Sequence, residues 1–254
     1  MNLTAAKSGI AKNVYQYLRR YVRSYPEWNF APPRVQVHRT LQSLGSDYGG
    51  YAIDSSGVRR DAIVYSLGVG EDIFWDLALI QRYGVTIHAF DPTPRVKEWL
   101  ALQTLPEQFH FHEVGIADID GEGTFYLPPR PDFISHSLVR APQYSKESIR
   151  VPMIRLRTAM QQLGHERIDI LKMDIEGAEY AVLRDLVKQK IPVSQILVEF
   201  HHRVSSIGTG ETKRTLALLE SYGMKIAYVC PRIEVFTLVQ GLEPASVLRP
   251  GRES

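Results

Sequence analysis

From about residue 60 onward, short apolar or β-branched runs alternate with longer stretches whose apolar residues recur every three or four positions. The first pattern marks strands and the second helices, and their alternation predicts a parallel sheet with helices on both faces, a doubly wound α/β fold. Strands are expected at Ala62–Leu67, Val85–Phe90, near Phe109–Val114, and at Ile168–Met173 and Gln195–Phe200. Between them, helices are expected over Asp72–Tyr83 (Phe74, Leu77 and Ala78 on one face), from Pro94 behind a Thr93 N-cap, after Asp174 through Lys188, and over Glu211–Tyr222. Gly84 and Gly223 stop two of these. Two further extended pieces, Thr124–Leu127 and Ile149–Ile154, flank a loop containing His136 and Ser137. The periodic part closes with Met224–Val229 and Ile233–Thr237 around Cys230-Pro231-Arg232, the pattern of an antiparallel hairpin.

The 254 residues suffice for one large domain. Residues 1–45 read as a helical cap, two helices around a loop holding Pro26, Pro32 and Pro33; residues 46–242 form the main α/β domain and 243–254 a tail. A net charge of +2, with no dense Lys/Arg run, gives no reason to expect a nucleic-acid partner. The stretch Tyr15–Tyr25 reads as a surface helix with a solvated basic face. The lone Cys230 excludes an internal disulfide and reads as a small core residue. No apolar run approaches the roughly 20 residues of a membrane span, and no basic-then-apolar leader is present, so a soluble cytoplasmic protein is expected.

The turn after the first strand carries Gly68 and Gly70, where a missing side chain lets backbone approach a ligand. Asp91, at the end of the second strand, is placed to accept hydrogen bonds from a ribose diol. A dinucleotide fingerprint would need a third glycine where Ile73 stands. Glu71 and Asp72 would repel phosphates but suit a cofactor bearing an amino group and a sulfonium cation, which favours S-adenosylmethionine over NAD. An NAD-dependent oxidoreductase and a non-catalytic binding protein remain the alternatives.

The stretch Ile168–Leu183, IDILKMDIEGAEYAVL, resembles the hallmark of the FkbM family of methyltransferases. The resemblance runs upstream through VYSLGVGEDIFWD, HAFDPTP, GIADIDGEGTFYL and SHSL, and downstream to ILVEFHH. It implies a class I, Rossmann-like methyltransferase with a seven-stranded sheet ending in an antiparallel hairpin. Family members move a methyl group to a hydroxyl, commonly on a sugar or secondary metabolite. By position, Gly68, Gly70, Asp91 and the Ala117-Asp118 turn would line the cofactor pocket, with Glu71 beside it. The sequence departs from the family where Leu156-Arg157 replaces a Leu-Asp pair and where the glycine loop reads SLGVGED.

A hydroxyl acceptor needs a general base or a cation to lower its pKa. Asp174 ends the fourth strand; Glu199, His201 and His202 end the fifth, and neighbouring strands lie roughly 4.8 Å apart. Either Asp174 or a histidine acts as base, or Asp174, Glu199 and His201 bind a divalent ion such as Mg²⁺ or Mn²⁺. Alternation puts Glu199 and His201 on one face and favours His201 over His202. Glu176 and Glu179 fall in the first turn of the next helix, where the helix dipole favours negative charge. The expected partner is a small-molecule hydroxyl acceptor.

Overall fold

A computed structural model of the chain describes residues 33–46, 49–127, 147–204, 206–230 and 234–241. Its centre is a seven-stranded sheet. The strands, in chain order, are β3 (Ile63–Leu67), β4 (Thr86–Phe90), β5 (Phe109–His112), β9 (Ile168–Met173), β10 (Val193–Glu199), β11 (Met224–Val229) and β12 (Val235–Gln240). They lie side by side in the order β11-β12-β10-β9-β3-β4-β5. All pair in parallel except β12, which is antiparallel to both β10 and β11. The expected terminal hairpin is therefore present, with β12 inserted between β10 and β11.

Strands β3, β4, β9 and β10 are covered on both faces, which is why they read as nearly unbroken apolar runs. The helices α1 (Phe74–Tyr83), α2 (Pro94–Leu100), α3 (Leu156–Leu163), α4 (Glu179–Lys188) and α5 (Thr209–Ser221) connect them. Helix α1 differs from its expected packing. It buries Trp75, Asp76, Leu79 and Ile80, while Phe74 is largely exposed. The helix begins two residues later than expected, because Asp72 accepts from the Phe74 N–H and from the Ser46 hydroxyl instead of entering the first turn.

Two smaller sheets flank the main one. A three-stranded sheet runs β6 (Gly115–Ala117), β8 (Ser148–Arg155), β7 (Gly121–Tyr126). The predicted third strand over Phe109–Val114 is thus two pieces: β5 closes the main sheet and the chain then turns into β6. A hairpin of β1 (Leu41–Leu44) and β2 (Tyr51–Asp54) lies against the far half of the main sheet, where Thr237 donates to the Ala52 carbonyl and Gln195 to that of Asp54. This corrects the helical cap expected to residue 45. Residues 33–40 are irregular and 41–44 are a strand. The rest of that segment, the Tyr15–Tyr25 stretch, His136, Ser137 and the tail from 243 lie outside the described residues. Among the described residues, no helix is long and apolar enough to cross a membrane.

Candidate active site

Strand order reverses at β3, with β4 and β5 following on one side of it and β9 and β10 on the other, and ligands of such sheets bind beyond the carboxyl ends of the strands at that point. The crevice there is lined by Gly68–Asp72, Asp91, Lys172, Asp174 and Glu176, with Gly115, Ile116, Phe125 and Met153 of the small sheet opposite. Gly68 sits at φ +75°, and a Cβ there would stand 1.7 Å from the Asp174 carbonyl oxygen. The Gly68 N–H donates to the Phe90 carbonyl and the Asp174 N–H to that of Leu67. The glycine loop is therefore locked against the end of β9.

Asp91 is buried and holds this loop from the other side. Its Oδ2 accepts from the N–H groups of Val69 (3.0 Å) and Gly70 (3.1 Å), and its Oδ1 from that of Thr93 (2.9 Å). With three of roughly four acceptor positions used, it keeps room for one further hydrogen bond, fewer than the pair of donors of a diol would offer. Glu71 lines the crevice in a 2.6 Å ion pair with Arg95. The Ala117-Asp118 turn is placed differently from expectation. Ala117 packs in the small sheet with Val151 and Met153, Asp118 is exposed, and Gly115 and Ile116 line the crevice instead. The cause is the turn into β6, which carries the segment away from the main sheet.

Lys172, buried next to the carboxyl end of β9, donates from Nζ to the Gly68 carbonyl (3.0 Å) and lies 5.4 Å from the Tyr51 ring centre. Burial raises the pKa of Asp76 while the Lys172 charge opposes the rise. Neither Lys172 nor Tyr51 was among the expected site residues. A lysine between Leu171 and Met173 near the end of a predicted buried strand is a legible signal; Tyr51 has none, because the strand carrying it was not predicted.

A second cavity of about 490 Å³ adjoins the crevice, and Tyr51, Asp174 and Glu176 line both. Glu199, His201, Tyr228, Cys230 and Glu234 complete much of its wall. Here the strand ends converge as expected. His201 Nε2 lies 3.6 Å from Asp174 Oδ1 and 3.4 Å from Glu176 Oε2. Its Nδ1 lies 3.3 Å from Glu179 Oε1, which also accepts from the His201 N–H, while Glu179 Oε2 accepts from that of Gly177. Glu179 is completely buried. It orients the imidazole and is more than a helix-dipole charge. Glu176 (φ +51°) and Gly177 (φ +101°) make the sharp turn that brings the Glu176 carboxylate back over the strand end.

Burial alone would depress the His201 pKa, but the hydrogen bond to Glu179 and the charges of Glu179, Glu176 and Asp174 outweigh it and hold the pKa well above 6.5. Burial and the Asp174 charge push Glu199 up to about 7. Glu176, not Glu199, completes the set with Asp174 and His201 whose ligand atoms all lie within 4.8 Å of one another. His202 points away into the core, 3.3 Å from the Thr212 hydroxyl, so the preference for His201 matches the geometry. Leu156 is core, and Arg157 donates to the Gln189 carbonyl, a structural contact remote from the crevice.

The model of the methyltransferase FkbM domain matches residues 58–226. Over 140 residues the chain is 29% identical to a probable methyltransferase-like protein 24 of Rattus norvegicus and 28% to that of Homo sapiens; the match covers 54% of this chain and 32% of each relative. The chain thus spans about a third of the length of these relatives. Among solved structures, Methyltransferase FkbM from Methylobacillus flagellatus KT aligns with a TM-score of 0.43 at 12% identity, over 73% of this chain and 45% of that one. The Methanococcus jannaschii fibrillarin pre-rRNA processing protein aligns at 0.42 and 13%, over 72% and 68%.

Proposed function

Because the chain belongs to the FkbM family of methyltransferases, we propose that it moves a methyl group from S-adenosylmethionine to a hydroxyl oxygen of a sugar or secondary metabolite. The observation that carries the cofactor is the occupancy of the glycine loop's N–H groups. Phosphates bind where such groups are free. Here those of Val69 and Gly70 are spent on Asp91, and the carboxylates of Glu71 and Asp72 stand beside them. That lining disfavours a pyrophosphate and suits a cationic cofactor carrying an amino group. Gly68, Gly70, Asp91 and Glu71 would hold it, with Gly115 and Ile116 across the crevice.

When bound, adenosylmethionine supplies an electrophilic methyl group. The acceptor occupies the adjoining cavity, whose size falls within the roughly 300–1,000 Å³ of small-molecule sites. Its oxygen forms the new C–O bond as the methyl's bond to sulfur breaks. Its proton leaves to a carboxylate of the wall, Asp174 or Glu199, with His201 beside them held in its charged form. Asp174, shared by crevice and cavity, aligns the two reactants. We place the reaction in the cytoplasm, where a lone Cys230 stays reduced.

Thermal shift tests the cofactor directly. Adenosylhomocysteine at about 100 times its Kd adds roughly 2.7 kcal/mol of stability, a rise in Tm of roughly 5–10 °C, and NAD adds none. A shift with NAD and none with adenosylhomocysteine would reverse the reading. Loss of methyl transfer in Asp174→Ala, with adenosylhomocysteine binding retained, would then assign that carboxylate to the acceptor side.

A further inference from the structure

The wall where β9 and β10 end turns three potential ligand atoms toward one point. The separations of 3.6 Å and 3.4 Å from His201 Nε2 to Asp174 and Glu176 are too long for direct charge-assisted hydrogen bonds, which close to ~2.7–2.9 Å. Ligands at about 2.1 Å from a shared ion stand roughly 3.0 to 4.2 Å apart, a range that brackets both values. The second ring nitrogen of His201 is taken by the buried Glu179, so Nε2 is fixed toward the cluster. A carboxylate behind the imidazole is the usual means of orienting a metal-bound histidine. An independent sign comes from β2. Tyr51 is only 2% exposed and lines the same cavity, and its hydroxyl faces the Asp174 carboxylate without closing a well-formed hydrogen bond to it. A buried hydroxyl left so is costly unless a ligand completes it. A water molecule on an ion at this cluster would do so.

We propose that Asp174, Glu176 and His201 form a site for one divalent transition-metal ion, of the Mn²⁺ or Zn²⁺ class, whose open positions face the acceptor cavity. An imidazole among two carboxylates suits such ions better than Mg²⁺. The existence of the site stands on the three ligands alone. What the ion does there rests on the methyl-transfer reading: it holds the acceptor hydroxyl and lowers its pKa, so that the proton leaves more readily. Glu179 is then a positioning residue, acting through His201.

The test uses the full chain stripped with chelator and titrated with Mn²⁺, following loss of the free-ion electron paramagnetic resonance signal. One Mn²⁺ per chain is expected, displaced stoichiometrically by Zn²⁺. Glu176→Gln and His201→Ala weaken binding at least tenfold, and Glu179→Gln does so about 10–100-fold without removing a ligand. Circular dichroism checks each variant. If the buried Glu179 or His201 change unfolds the chain, the partly exposed Glu176→Gln variant decides. No Mn²⁺ binding, or binding equally tight in the folded variants, overturns the site. Adenosylhomocysteine affinity, measured on the same metal-free protein, keeps the two readings apart. Binding of adenosylhomocysteine without Mn²⁺ sinks the metal site alone, and binding of Mn²⁺ without adenosylhomocysteine sinks the methyl-transfer reading alone.

Discussion

Two groups of histidines in this molecule live under opposite rules. His201 stands among Asp174, Glu176 and Glu179, which favour its charged form. At the other edge of the sheet, His88 and His110 stack on neighbouring strands, His112 lies 3.1 Å from His88 Nδ1, and His165 meets Tyr65 at 3.0 Å. There, burial and the charges of His165, His112 and His110 pull His88 down to about 4. Burial lowers His112 and His165 as well. The residue type is the same and the neighbours decide its charge. A histidine ringed by acids is poised for a cation or a polar ligand; one ringed by histidines and aromatics is packing.

The contrast is broken most severely by Glu179→Leu, which strands the N–H groups of Gly177 and His201 and removes the buried partner of the imidazole. A loss of about 3–5 kcal/mol is expected in urea unfolding, together with loss of methyl transfer. Stability unchanged within ~1 kcal/mol would show that the acid cluster is not held from beneath.

Acidification probes the other group. Because the folded pKa of His88 lies below 6.5, the folded state binds fewer protons than the unfolded chain. Its contribution is full above pH 6.5 and is lost as pH falls toward 4. The shift, discounted for partial exposure, is worth about 1–2 kcal/mol between pH 7 and 4.5. His88→Phe keeps the stack apolar and is expected to remove much of that slope; equal slopes in wild type and variant would contradict the assignment. The smallest effect belongs to His110→Ala, at the exposed rim of the stack, expected within ~0.5 kcal/mol of wild type at pH 7.

What the sequence disclosed follows the same division. Strands β3, β4, β9 and β10 were legible because burial on both faces demands long apolar runs, and the Gly68 turn and the Asp174–Glu179 string sit at their ends. The β1–β2 hairpin was not legible. It comprises two four-residue strands beside Gly49 and Gly50, too short for a period to show, and Tyr51 was lost with it. The break between β5 and β6 was hidden inside an apolar stretch, which misplaced Ala117 and Asp118 by one strand. Glu179 looked like a helix-dipole charge because its partner, His201, lies 22 positions away and only the fold brings them together.

The absent side chain at Gly68 has a consequence for how such a protein diversifies. With 1.7 Å between a notional Cβ and the Asp174 backbone carbonyl, position 68 admits no side chain whatever residue stands at 174, and the contact forms a fixed joint. Whoever seeks to change what the proposed acceptor cavity admits should leave that joint alone and vary Tyr228 and Cys230, which line the cavity away from the glycine loop's backbone.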